Sequence, residues 1–211
     1  MPQSFESSGL KIYNAGCAYG MRPVFTGLTV TWPAGSLAVI SGYNGAGKTT
    51  FLRCISGLHP AFEGEIIYNG KSCSPWERRQ MCHWISATPS LKDHMGVYES
   101  LHFLATIKSG QALSDQDIQT ALEKMGIAHL GGCLCGQLSA GQKMRVMLAL
   151  LLLVRRPVWL LDEAGSVLDS KGREILQSII RFHIRDHKGI VVLASHDTNL
   201  FEPDYKLEFG R

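Results

Sequence analysis

Apolar and polar positions along the chain fall into alternating strand-like and helix-like segments. Val24, Thr26, Leu28, Val30 and Trp32 recur at every second position, which predicts a strand with these side chains on one face. Pro33-Ala34-Gly35 marks a turn after it. Leu37-Ala38-Val39-Ile40-Ser41 reads as a buried strand, and Thr49 to Ile55 as a helix. Glu65 to Tyr68, followed by Asn69-Gly70, predicts a strand entering a hairpin turn, and His83 to Ser86 a further short strand. From about Lys92 to His129 the pattern turns helical. There Ser114 reads as an N-cap with an acidic first turn, Ile118, Leu122 and Met125 share a face, and Gly126 ends the helix. Gly141 to Val154 predicts a core helix stopped by Arg155-Arg156-Pro157. Val158 to Leu161 and Ile190 to Ala194 are wholly apolar strands. The helix between them carries Leu176, Ile179, Ile180 and His183 on one face. Near-continuous apolar strands separated by helices predict an α/β fold with a mostly parallel sheet covered on both faces.

Composition narrows the class rather than changing it. At 211 residues and 45% apolar, the chain suits one domain with a proper core. A formal net charge of +3, without any block of like charges, gives no reason to expect a nucleic-acid partner. Met1 to Gly9 is polar and unlike a signal peptide, and Val146 to Val154, the longest apolar run, falls short of the roughly 20 residues a membrane span requires. The expectation is a soluble chain that needs a partner for any membrane work. The six cysteines fit no zinc spacing and are expected to be reduced, mostly buried apolar residues.

The chemistry begins at Gly42-Tyr43-Asn44-Gly45-Ala46-Gly47-Lys48-Thr49-Thr50, which fits the phosphate-binding pattern G-x-x-x-x-G-K-[ST] between a strand and a helix. Gly42, Gly45 and Gly47 let the backbone curl so that successive amides face phosphate oxygens, and the helix N-terminus adds its positive end. Lys48 can reach β- and γ-phosphates, and the Thr49 hydroxyl can hold Mg²⁺. A nucleoside triphosphate ligand follows. Val158 to Glu163 is an apolar strand ending in two acids, the form of a Walker B strand. In that reading Asp162 holds Mg²⁺ through water and Glu163 acts as general base on the attacking water. Leu138-Ser139-Ala140-Gly141-Gln142 contains a capping box, Ser139-x-x-Gln142, at the start of an apolar helix. Its hydroxyl, its glycine amide and the helix N-terminus make a second anion site, which suggests an active site completed across a dimer.

These motifs resemble the ABC-type ATPases. Leu138 to Gln142 is similar to that family's signature motif, and the phosphate loop, signature, Walker B strand and His196 follow in the family's order. Val167-Leu168-Asp169 resembles its D-loop, His196 its switch histidine, and Tyr19 its adenine-stacking aromatic. Within the family the chain is most similar to the haem-exporter ATP-binding subunits of cytochrome c maturation, through Leu101-His102-Phe103, Arg145-Val146 and the Walker B strand. The resemblance implies a P-loop NTPase core over about 1–88 and 136–211, with an antiparallel N-terminal β part and a helical subdomain inserted at about 89–135. It also implies ATP and Mg²⁺ as ligands. Two ATP molecules would be sandwiched in an ATP-dependent homodimer, or a heterodimer with a similar subunit, where Ser139, Gly141 and Gln142 face the other subunit's nucleotide. A membrane-spanning subunit on a separate chain, near Thr88 to Glu99, would place the protein at the cytoplasmic face of the cell membrane.

Two positions depart from the pattern. Thr88 stands where the family has a Gln that reaches metal and water, and Ala164 replaces a Pro after the catalytic Glu. Thr88 leaves open a weakly hydrolysing regulatory subunit. A P-loop nucleotide kinase shares the loop but neither the signature nor the Asp-Glu ending.

Overall fold

The computed structural model describes residues 8–60, 62–195 and 201–210. By compactness the chain divides into one unit of residues 1–84, 157–162 and 181–211 and a second of 85–156 and 163–180.

The first unit carries the strands β1 (Gly9–Tyr19), β2 (Arg22–Pro33), β3 (Leu37–Gly42), β4 (Phe62–Tyr68), β5 (Lys71–Ser72), β6 (Cys82–Ile85, whose last residue falls in the second unit), β7 (Val158–Asp162), β8 (Ile190–Ala194) and β9 (Tyr205–Phe209). It also carries the helices α1 (Lys48–Ile55) and α2 (Pro75–Met81). The strands form an antiparallel sheet in the order β2-β1-β4-β5 and a five-stranded sheet in the order β6-β7-β8-β3-β9. In the second sheet β3 pairs in parallel with β8 and β9, and β7 with β8. Both β7 and β8 are buried at every position, as a parallel strand without a solvent face must be. The core is tied by ring packing. Phe51 lies 5.5 Å from Phe25, 5.3 Å from Phe209 and 6.3 Å from Trp32 between ring centroids.

The fold agrees with the α/β expectation and sharpens it at three places. In β2, Phe25 packs against the core together with Leu28 and Val30, while Thr26 is exposed. The pairing Ala15↔Leu28 followed by Cys17↔Phe25 spends three residues of β2 on two of β1. That bulge, beside Gly27 at φ 66°, reverses the inward parity, so the simple alternation from Val24 to Trp32 fails. Helix α2 was not expected. Its signal was present in Ser74-Pro75-Trp76-Glu77, a capping box with Pro at the first helical position. Strand β9 extends the sheet beyond the strand at Ile190 to Ala194, alongside β3.

The second unit is helical: α3 (Val97–Ser109), α4 (Asp115–Lys124), α5 (Ala140–Leu153) and the first part of α6 (Ser170–His187). Ser114 caps α4 with Asp117 closing the box, and Ile118, Leu122 and Met125 are fully buried, as the pattern predicted. Gly126 follows at φ 67°, the left-handed conformation that ends a helix. Among the described residues no helix is long and apolar enough to cross a membrane.

Candidate functional site

The loop between β3 and α1 has the geometry its sequence demands. Gly47 sits at φ 106° as the N-cap of α1, where a Cβ would meet Val24 at 2.6 Å. Tyr43, Asn44 and Gly45 form an exposed crest, and Ala46 is buried with its amide donating to the Tyr43 carbonyl at 3.2 Å. No side chain caps α1 at its N-terminus. Lys48 is buried, and its ammonium donates to the carbonyls of Gly42 at 2.7 Å and Tyr43 at 3.1 Å. That fold-back holds a positive charge under the loop, and an anion in the loop can share it. Thr50 follows on α1, half-buried.

Parallel pairing brings the end of β7 beside this loop. The Thr49 hydroxyl donates to Asp162 Oδ2 at 2.8 Å across 113 positions of sequence. Burial pushes the Asp162 carboxyl above its ordinary value, against the lowering effects of the Thr49 hydrogen bond and of Arg53 and Lys48. A carboxylate so desolvated is stabilised by a cation, and a hydroxyl beside a carboxylate is the hard-oxygen donor set that Mg²⁺ prefers. The residues therefore fit a Mg²⁺ ion.

Beside the loop lies a cleft of about 480 Å³ whose lining includes Val24, Phe25, Tyr43, Ala46 and Phe209. Its wall supplies Tyr43 but not Tyr19. Tyr19 stands at the end of β1, half-exposed, with its ring edge-on to His59 at 5.0 Å.

In the second unit, Ser139 and Gln142 close the expected capping box. The Ser139 hydroxyl accepts from the Gln142 amide at 3.3 Å, and Gln142 Oε1 accepts from the Ser139 amide at 2.8 Å. Gly141 must be glycine, because a Cβ there would stand 2.8 Å from the Val167 carbonyl. The same segment is fixed by Arg145, which bonds Asp169, while the Gly172 amide donates to Asp169 at 2.8 Å. The Gly172 bond and then Arg145 hold the Asp169 carboxyl below its ordinary range. Sequence reasoning noted both residues without pairing them. Glu163 adopts φ 53°, a left-handed conformation costing about 1–3 kcal/mol for a non-glycine residue, and such strain concentrates at functional positions. A turn holds it, with Ser166 donating to the Glu163 carbonyl from amide and hydroxyl at 3.0 and 2.7 Å. Ala164 beside it is fully buried. Thr88 is exposed. His196 lies outside the described residues.

A phosphate loop with its lysine and a threonine–aspartate pair, together with a capped signature helix in the second unit, define an ATP-binding cassette. The family model for ABC transporters matches residues 25–166, and the chain belongs to that family. It is an ATP-binding, ATP-hydrolysing subunit of the ABC type, and cassettes of this type form dimers. Among curated relatives, the cytochrome c biogenesis ATP-binding export protein CcmA of Rhodopseudomonas palustris (strain BisB5) is 36% identical over 180 residues, covering 85% of this chain and 88% of that protein. Among solved structures, a putative ABC transporter ATP-binding protein from Pyrococcus furiosus superposes with a TM-score of 0.83 at 29% identity, covering 96% of this chain and 98% of that one. An ATP-binding cassette solved as a dimer bound to ADP and Pi has the same fold, with a TM-score of 0.81 at 21% identity and coverage of 94% and 96%.

Proposed function

We propose that this chain powers an export transporter of cytochrome c biogenesis, with haem as the exported cargo and the membrane-spanning part on a separate chain. The observation that carries this reading is the 36% identity to an export ATPase of that process over most of both chains. The absence of a membrane-crossing helix among the described residues agrees with a separate membrane subunit. The protein then works at the cytoplasmic face of the membrane, and the helical segment at about 89–135 passes its motion to the partner near Thr88 to Glu99.

In this reading the loop amides of Gly42 to Thr50 and the Lys48 ammonium hold the triphosphate of ATP. Thr49 and Asp162 hold Mg²⁺, which neutralises phosphate charge when bound. Glu163 takes a proton from the attacking water, and His196 orients the γ-phosphate. Tyr19 stacks on the adenine. Ser139, Gly141 and Gln142 stand at a helix N-terminus facing the nucleotide of a second subunit in an ATP-dependent dimer, with the Ser139 hydroxyl as a donor.

ATP hydrolysis and sizing chromatography of wild type and Glu163→Gln test the scheme. The expected result is hydrolysis in the wild type, and an ATP-trapped, non-hydrolysing dimer in the variant. Nucleotide binding without hydrolysis in either, even with the membrane subunit present, would favour the regulatory reading that Thr88 suggests. Thr88→Gln should raise turnover if Thr88 is what slows hydrolysis, and an unchanged or lower rate would overturn that role for Thr88.

A further inference from the structure

Away from the phosphate loop, three metal-ligating side chains from separate parts of the first unit converge. Cys17 lies on β1, Cys54 in the last turn of α1, and His59 in the loop after it. Their ligand atoms all lie within 4.8 Å of one another. Cys17 Sγ is 3.5 Å from His59 Nδ1 and 3.8 Å from Nε2. Cys17 is 4% exposed, Cys54 0% and His59 9%. Cys17 stands where β2 spends extra residues against β1. Register shifts flank Cys17 on both sides in its pairing with β2.

We propose that Cys17, Cys54 and His59 form a binding site for one thiophilic metal ion of the Zn²⁺ or Cu⁺ class. Two thiolates and an imidazole are a soft, three-ligand set, which suits Cu⁺ directly and Zn²⁺ with a fourth position open. The Mg²⁺ candidates Thr49 and Asp162 offer only hard oxygens, so the two sites select different ions. Burial first, and then the neighbouring Cys17, push the Cys54 thiol far above its ordinary value. A bound cation competes with protons for the thiol sulfurs, so affinity falls as acid is added. Arg78 favours the thiolate form: it is buried, lowers the Cys54 pKa, and donates from Nη1 to the Cys54 carbonyl at 2.6 Å. The ion would tie β1 to the end of the helix that carries the phosphate loop, with Tyr19 packed on the liganding imidazole. The site does not depend on the transport reading above.

The test uses the reduced full chain without nucleotide. Zn²⁺ and, under anaerobic conditions, Cu⁺ are titrated against a chromophoric chelator, and Co²⁺ serves as a spectroscopic probe. One equivalent of Zn²⁺ or Cu⁺ should bind and raise the thermal midpoint. Co²⁺ should give a thiolate charge-transfer band. Cys17→Ala and Cys54→Ala should abolish the band, and His59→Gln should weaken binding at least tenfold. Cys73→Ala and Cys133→Ala should change nothing. His59→Gln, in a loop, carries the test if a core cysteine variant fails to fold. Binding that follows Cys73 or Cys133, or no binding by the wild type, would each overturn the proposal.

Discussion

The two units build their share of the chemistry in opposite ways. In the first, the site is assembled from a distance: Thr49 and Asp162 meet only because β3 and β7 lie in one parallel sheet. In the second, the signature is made locally, by a capping box spanning four residues and a glycine pressed against the Val167 carbonyl. Helix α1 leaves its N-terminal amides uncapped, whereas Ser139 and Gln142 close the N-terminus of α5. An uncapped helix end under a glycine loop is open to take up phosphate by itself. The closed end has already bonded the Ser139 and Gln142 amides within the chain.

Substitutions in the two units should therefore fail differently. Glu163→Gln should lower the hydrolysis rate by about 1,000-fold, the scale of a lost general base, while ATP binding stays; steady-state kinetics beside equilibrium binding separates the two. Lys48→Ala should weaken ATP binding roughly 100-fold, because a charge-assisted contact to phosphate is lost in the first unit alone. Titration of the single chain with a fluorescent ATP analogue reads this. Ser139→Arg should leave that same titration unchanged and abolish hydrolysis and dimer formation. A fall in binding to the single chain would break the distinction between the units.

Two smaller predictions concern stability. His183 stacks on Trp159 with ring centroids 3.8 Å apart, and burial lowers its pKa from 6.5 to about 4. Below pH 6.5 the unfolded chain takes up a proton that the folded chain refuses. Stability is therefore lost as pH falls from about 6.5 to 4, by roughly 3 kcal/mol, and this contribution is flat below that range. Denaturant midpoints across that window should show the loss in the wild type and less of it in His183→Phe. Ser114→Ala, which removes a helix cap in the second unit, should cost about 1 kcal/mol in the same assay without altering ATP affinity.

The readable part of the molecule was the part governed by neighbours along the chain. The phosphate loop needs glycines at set spacings, the caps at Ser114 and Ser139 need an acceptor and a partner three residues on, and β7 and β8 need unbroken apolar runs. Each is visible in a window of a few residues. The capping box at Ser74 was equally visible, but α2 is only seven residues long and carries too little periodicity to stand out.

What only the tertiary structure decided depends on pairings that no local window contains. The bulge that turns Phe25 inward is a property of two strands, since β2 spends an extra residue that β1 does not. The Arg145–Asp169 pair joins a helix to a loop, and Tyr43 reaches the wall of the cleft beside the loop through the placement of β9. The meeting of Cys17, Cys54 and His59 is the clearest case, because their spacing matches no metal pattern and only the packing of α1 on β1 brings them together. The sequence alone thus determined the family, the phosphate-binding chemistry and most of the elements, since backbone curvature and helix termini are set within a few residues. Which distant side chains share a site was left to sheet register and helix packing, because those contacts form only when the whole chain has folded.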